Sequence, residues 1–73
     1  MMEFTAIFVK VPEGYLGFVE ELPGAHTQGE TLEETREYLR EAVELIIEAN
    51  RTLAEEAAEG KETIRETLAL TAK

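Results

Sequence analysis

The first third of the chain alternates between short runs of β-branched or aromatic residues and short turns. Residues 4–11 are rich in Phe, Ile and Val, and residues 15–20 have a similar character, so both are predicted to be strands. Pro12, Glu13 and Gly14 separate them; proline suits an early turn position and glycine a positive φ. The pattern therefore predicts a β-hairpin.

A weaker strand signal follows the hairpin. Residues 22–24, Leu-Pro-Gly, are typical of a turn, and residues 25–29 include His26 and Thr27, which tolerate extended structure. We predict a short third strand within residues 25–29.

A long amphipathic helix is predicted next. Thr31 and Glu34 have the spacing of a capping box, in which the N-cap hydroxyl and the N3 carboxylate bind each other's backbone N–H. Gly60 is expected to end the helix. Apolar residues recur every three or four positions, at Leu32, Leu39, Ala42, Val43, Ile46, Ile47, Leu53, Ala54 and Ala57.

Residues 61–73 fit two structures. Ile64, Leu68 and Leu70 fit one face of a strand, with Glu66 as the exception, whereas Ile64, Thr67, Leu68 and Thr71 fit a short helix. We predict a last strand that returns to the sheet beside the hairpin.

Both faces of the first strand are largely apolar. One face carries Phe4, Ala6, Phe8 and Lys10, and the other carries Thr5, Ile7, Val9 and Val11. One helix can cover only one face of an antiparallel sheet, so the second must contact water or another chain. We take Thr5, Ile7, Val9 and Val11 as the candidate oligomer interface, and we expect a homodimer or a higher homo-oligomer.

Length and charge narrow the class of protein. The 73 residues are expected to form a single domain, residues 1–73, of the α+β class. The net charge is -9, and every acidic residue is a glutamate, which opposes direct nucleic-acid binding and favours basic protein partners. No segment has the ~20 apolar residues needed to cross a bilayer, and residues 1–4 lack the basic start of a signal peptide. We expect a cytoplasmic protein.

Residues for catalysis are scarce. The chain has no Cys, Asp or Ser and one histidine, His26, so disulfides, thiolate metal sites and a serine nucleophile are excluded. We expect no metal, no cofactor and no enzymatic activity. A histidine in a loop or at a strand edge is more often a contact residue than a general base, because a base also needs an orienting partner and a substrate proton within reach.

The order of these elements resembles the HicB-like antitoxin family. The match covers roughly the first fifty residues, and the residues that carry it are Gly14-Tyr15, Leu22-Pro23-Gly24, Thr27-Gln28-Gly29-Glu30-Thr31, Glu33-Glu34 and Ala42-Val43-Glu44-Leu45. The resemblance implies a partial RNase H-like β-β-β-α-β fold without nuclease carboxylates: a three- to four-stranded antiparallel sheet with one long helix packed on one face.

The resemblance also implies a function. Such proteins neutralise a small basic toxin, HicA-like, that cleaves RNA. The partner-binding residues we predict are His26, Thr27, Gln28, Glu30, Glu33 and Glu37. The alternative is a self-associating domain with no toxin partner and no enzymatic activity. The sequence stops where many relatives carry a DNA-binding part, so operator binding is not expected.

Overall fold

The computed structural model describes residues 3–69, which form a three-stranded antiparallel sheet followed by one long helix. The strands are β1, Ala6–Val11, β2, Gly14–Val19, and β3, His26–Gly29. The helix is α1, Leu32–Ala58. The sheet order is β1-β2-β3, so β2 is central. The α+β class and the hairpin are confirmed.

The hairpin connection is shorter than its sequence indicates. Val11 pairs with Gly14, so the loop consists of Pro12 and Glu13, and Gly14 (φ 141°) already belongs to β2. At the other end, Thr5 lies just before β1, where its N–H and hydroxyl both bind the carboxylate of Glu21, at 2.7 and 2.6 Å. This contact fixes the start of β1 to the turn after β2.

The start of α1 is the one that the capping box predicts. Thr31 is the N-cap, the Glu34 N–H donates to Thr31 Oγ1 at 3.1 Å, and the Thr31 N–H donates to Glu34 Oε1 at 3.4 Å. The helix ends at Ala58, and Gly60 (φ 72°) lies just beyond it. Both predicted boundaries of the helix are therefore confirmed to within two residues.

Small residues let the helix approach the sheet closely. Thr35 in α1 is fully buried, and its hydroxyl donates to the Thr31 carbonyl at 2.7 Å. A Cβ at Gly17 would lie 2.9 Å from Thr35 Cγ2, and one at Gly29 would lie 2.6 Å from Thr35 Oγ1. Contacts this short are not tolerated by real side chains, so the crossing of α1 over β2 and β3 requires both glycines.

The core lies under the first half of α1. Its fully buried members are Val19, Ala25 and Leu39, and the half-buried side chains packed on them are Phe4, Phe8, Leu22, Val43 and Ile46. Such a small core fits a domain of this size. Beyond Ile47, α1 continues past the sheet, and only Ala58 is even half-buried there.

The predicted last strand is wrong for the residues that the structure describes. Residues 61–69 form neither a strand nor a helix, and their side chains are exposed. The rest of that prediction, residues 70–73, lies outside the described residues. The reason is the length of α1: its 27 residues carry the chain far beyond the sheet before the segment begins.

Candidate functional site

The structure leaves one side of the sheet uncovered. Directly paired residues of an antiparallel sheet place their side chains on the same side, and successive residues alternate. Phe8 and Val19 pack in the core under α1. Ile7 and Phe18, which are their neighbours in sequence and pair with each other, therefore point away from the helix. We call this uncovered side the open face; it consists of Ile7, Val9, Val11, Leu16, Phe18, His26 and Gln28.

Large apolar side chains on the open face are accessible to solvent. Val9 is 43% exposed, Leu16 39% and Phe18 38%, while Ile7 and Val11 are half-buried. They lie side by side because Ile7 pairs with Phe18 and Val9 with Leu16. A contiguous apolar patch on a small domain is typical of a protein-binding surface.

The open face brings together residues that the sequence assigned to two separate sites. His26 pairs with Phe18 and Gln28 pairs with Leu16, so these two predicted partner contacts share a face with the predicted interface of Ile7, Val9 and Val11 and are separated from it by β2 alone. Leu16 and Phe18 were missed as site residues. Strand alternation could have identified them: Leu16 and Phe18 lie on one side of β2, whereas Gly17 and Val19 lie on the side that faces α1.

Other predicted site residues lie elsewhere. Thr27 alternates with His26 and Gln28, pairs with Gly17 on the helix side and is half-buried. Thr5 is exposed, but its N–H and hydroxyl are both bound by Glu21. Those two hydrogen bonds lower the pKa of the Glu21 carboxyl below its usual value, the side-chain bond from Thr5 having the larger effect.

Acidic side chains surround the open face. Glu13 in the hairpin loop and Glu30 after β3 lie at one end of the sheet, and Glu20 and Glu21 follow β2 at the other end. None of the seven residues of the open face is acidic. The arrangement is therefore an apolar surface with negative charge at both strand ends.

A surface pocket borders the open face at Gln28 and reaches the start of α1. Its volume is about 390 Å³, and it is lined by Glu13, Gln28, Gly29, Glu30, Glu34 and Tyr38. The lining contains carboxylates and no basic side chain, so it is suited to an incoming lysine or arginine. Of the predicted glutamates, Glu30 lies in this lining; Glu33 is outside it on α1, and Glu37 pairs with Arg40 at 3.8 Å.

The described residues do not assemble a metal site. Among residues 3–69, no group of three or more His, Asp or Glu side chains is placed to hold a metal ion. In the same part of the chain, no helix is long and apolar enough to cross a membrane.

Comparison with known proteins gives three relatives. A protein of Thermotoga maritima is 49% identical over 47 residues, which is 62% of this chain and 63% of that protein, less than two thirds of its length. A protein of Archaeoglobus fulgidus is 38% identical over 53 residues, which is 71% of this chain and 77% of that protein. A Synechocystis protein is 41% identical over 63 residues, which is 78% of this chain and 88% of that protein.

All three relatives are named UPF0150 proteins. No protein-family model matches the chain, and no solved structure matches it. Two of the relatives are aligned over more than two thirds of their own length at well above 30% identity. The chain therefore belongs to the UPF0150 family.

Proposed function

We propose that this protein is a binding domain whose open face contacts a small basic protein. The observation that carries the proposal is the exposure of Val9, Leu16 and Phe18 side by side on the side of the sheet opposite α1. These side chains are 38–43% exposed, so burying the remainder contributes about 0.6–1.2 kcal/mol each. The aromatic Phe18 is the strongest candidate for a contact that dominates the affinity.

Charge supports a basic partner. The chain has a net charge of -9, and acidic residues lie at both ends of the open face. A basic protein is attracted by this field before contact, which raises the association rate, while the apolar contact sets the lifetime of the complex. The pocket between Gln28 and Glu34 gives one basic side chain of the partner a defined place to bind.

The partner that fits best is a small RNA-cleaving toxin of the HicA type. This identification rests on the resemblance of Leu22-Pro23-Gly24 and residues 27–31 to the HicB-like antitoxins. A toxin that binds RNA needs a basic surface, and an acidic antitoxin neutralises it by covering that surface. The protein acts by binding alone in this proposal.

Co-expression tests the proposal. A candidate small basic protein of the HicA type is expressed alone and together with this protein; growth is measured, and the mass of any complex is determined. We expect growth arrest by the basic protein alone, recovery on co-expression, and a complex that survives gel filtration. Absence of a complex, together with unrelieved arrest, would refute the proposal.

A second candidate is self-association through the same open face. None of the seven residues of that face is acidic. Two copies of this negatively charged chain can therefore pair their open faces without placing one carboxylate against another. This candidate predicts that Phe18→Glu converts a dimer into a monomer.

A further inference from the structure

The side of the sheet that faces α1 is not fully covered. The helix lies mainly over β2 and β3, and a groove of about 390 Å³ remains between β1 and the first half of α1. Apolar side chains form most of its lining, which comprises Phe4, Ala6, Phe8, Val19, Leu39 and Val43 together with Arg36, Arg40 and Glu44. The groove is distinct from the open face, which lies on the opposite side of the sheet.

The groove runs beside an unpaired strand edge. Within the described residues, β1 pairs with β2 and with no other strand, so its outer N–H and C=O groups are available. Unpaired edges bind extended segments through main-chain hydrogen bonds, while alternate side chains enter the neighbouring pocket. The geometry is therefore suited to an extended segment.

The rim of the groove is basic in an otherwise acidic protein. Arg36 and Arg40 both line it, and the guanidinium of Arg36 lies 6.0 Å from the centre of the Phe8 ring. Glu44 is the only acidic residue of the lining. An occupant that combines apolar side chains with a carboxylate fits this surface.

The chain itself contains such a segment. Residues 62–69 form no helix or strand, and within them Ile64 is 84% exposed and Leu68 87% exposed. In an extended segment, Ile64, Glu66 and Leu68 point to the same side. Glu66, which breaks the apolar pattern, is opposite in charge to Arg36 and Arg40 of the groove.

Ile64 is too far from the groove of its own chain. Thr63 and Arg65 line a surface pocket with Thr52 and Glu56, in the last two turns of α1, whereas the groove ends at Val43 and Glu44. From Thr52, which lines the same pocket as Arg65, back to Val43 the helix rises about 13.5 Å at 1.5 Å per residue. An extended chain needs about four residues to cover that distance, so residues near 69 are the first to arrive.

We propose that residues 62–69 of one copy bind in the β1–α1 groove of a second copy, with Ile64 and Leu68 inserted and Glu66 facing Arg36 and Arg40. Reciprocal exchange satisfies both grooves of a two-fold dimer. It leaves the open face of each copy accessible, so the proposal stands independently of the proposed function.

Oligomeric mass gives the first test. We expect the full chain to have the mass of a dimer by light scattering at micromolar concentration and Leu68→Glu to have the mass of a monomer. Leu45→Glu is the matched control, because Leu45 is also an exposed apolar residue, 70% exposed, but lies outside the groove and the tail. A monomeric full chain overturns the proposal, as does a dimer that Leu68→Glu leaves intact.

Cysteine cross-linking separates exchange from other arrangements, since the chain has no cysteine of its own. A copy carrying Ala6→Cys in the groove is mixed with a copy carrying Leu68→Cys and oxidised. We expect a disulfide-linked heterodimer, and far less of it when Leu45→Cys replaces Leu68→Cys. A disulfide that forms only when both cysteines are in one chain shows that each tail occupies its own groove and overturns the proposal.

Charge reversal tests the predicted ion pair. Glu66→Arg and Arg40→Glu are each expected to weaken the dimer roughly two- to fivefold, the range of an exposed ion pair, and the double variant is expected to recover affinity. Two single changes that simply add in the double variant argue against contact between these residues.

Discussion

Phe18 and His26 face each other across β2 and β3, and both are exposed on the side of the sheet that α1 leaves uncovered. This pairing joins His26, a predicted partner-binding residue, to an apolar surface that extends across β1. Two features that seem separate along the chain therefore form one candidate site. An apolar surface with an adjacent imidazole and amide supplies both contact area and directional hydrogen bonds.

The acidic ends of the open face are expected to control the rate of association with a basic partner. Glu13→Gln combined with Glu30→Gln should slow association about tenfold at low salt and flatten its salt dependence, because the steering field is reduced. Stopped-flow or surface-plasmon measurements at several salt concentrations would detect this. Glu41→Gln with Glu44→Gln on α1 removes the same charge away from the open face and should have a smaller effect.

The contact between Gly17 and Thr35 predicts a loss of stability on a small substitution. Gly17→Ala places a Cβ 2.9 Å from Thr35 Cγ2 and 3.1 Å from Phe8 Cε1, so the free energy of unfolding should fall by about 1–3 kcal/mol. Urea denaturation would measure the change. Thr35→Ser removes the nearest methyl and keeps the hydroxyl, so the double variant should recover part of the loss.

The capping box predicts a moderate effect at the start of α1. Thr31→Ala removes the acceptor that the Glu34 N–H uses at 3.1 Å, and stability should fall by about 1 kcal/mol. Thr52→Ala makes the same chemical change within the exposed part of α1 and should be neutral or slightly stabilising. Equal losses in both variants would contradict the role of Thr31 as a cap.

The contact between Glu21 and Thr5 predicts a pH dependence of stability. Because hydrogen bonds from Thr5 lower the pKa of Glu21 in the folded state, the folded protein binds a proton there less readily than the unfolded chain. The contribution to stability is present above the ordinary glutamate pKa, about 4.3, and is lost as the pH falls through the lowered folded value.

Glu21→Gln removes the titrating group, so its stability should change less between pH 7 and pH 3 than that of the unmodified chain. Glu20→Gln is the control, since it removes the neighbouring charge and leaves the carboxylate that binds Thr5. Denaturation curves at each pH measure the difference. Identical pH profiles for Glu21→Gln and the unmodified chain would show that the contact is not maintained in solution.

Local signals predicted most of the fold. Thr31 and Glu34 define the start of α1, and the alternation in residues 4–11 defines two strand faces, because capping and strand periodicity depend on neighbouring residues alone. Which face the helix covers depends on the fit of Thr35 against Gly17 and Gly29. That fit arises only in three dimensions.

The register of β3 and the position of residues 61–69 could not be predicted from local sequence, because both depend on residues that are far apart along the chain. The pairing of His26 with Phe18 follows from the register of β3 against β2, and the short third strand gives little information on its register. The predicted last strand was wrong for residues 61–69. The spacing of Ile64 and Leu68 fits a strand, but it does not show that the 27-residue helix before them ends far from the sheet.

A single open-face variant, Phe18→Glu, provides the sharpest test of the proposed binding surface. A candidate small basic protein of the HicA type is titrated by calorimetry into the unmodified chain, Phe18→Glu and Leu45→Glu, after circular dichroism has shown that all three are folded. Phe18→Glu should weaken binding by at least about 2 kcal/mol, roughly thirtyfold, whereas Leu45→Glu should bind like the unmodified chain. Unchanged binding by folded Phe18→Glu would contradict the claim that the open face is the binding surface.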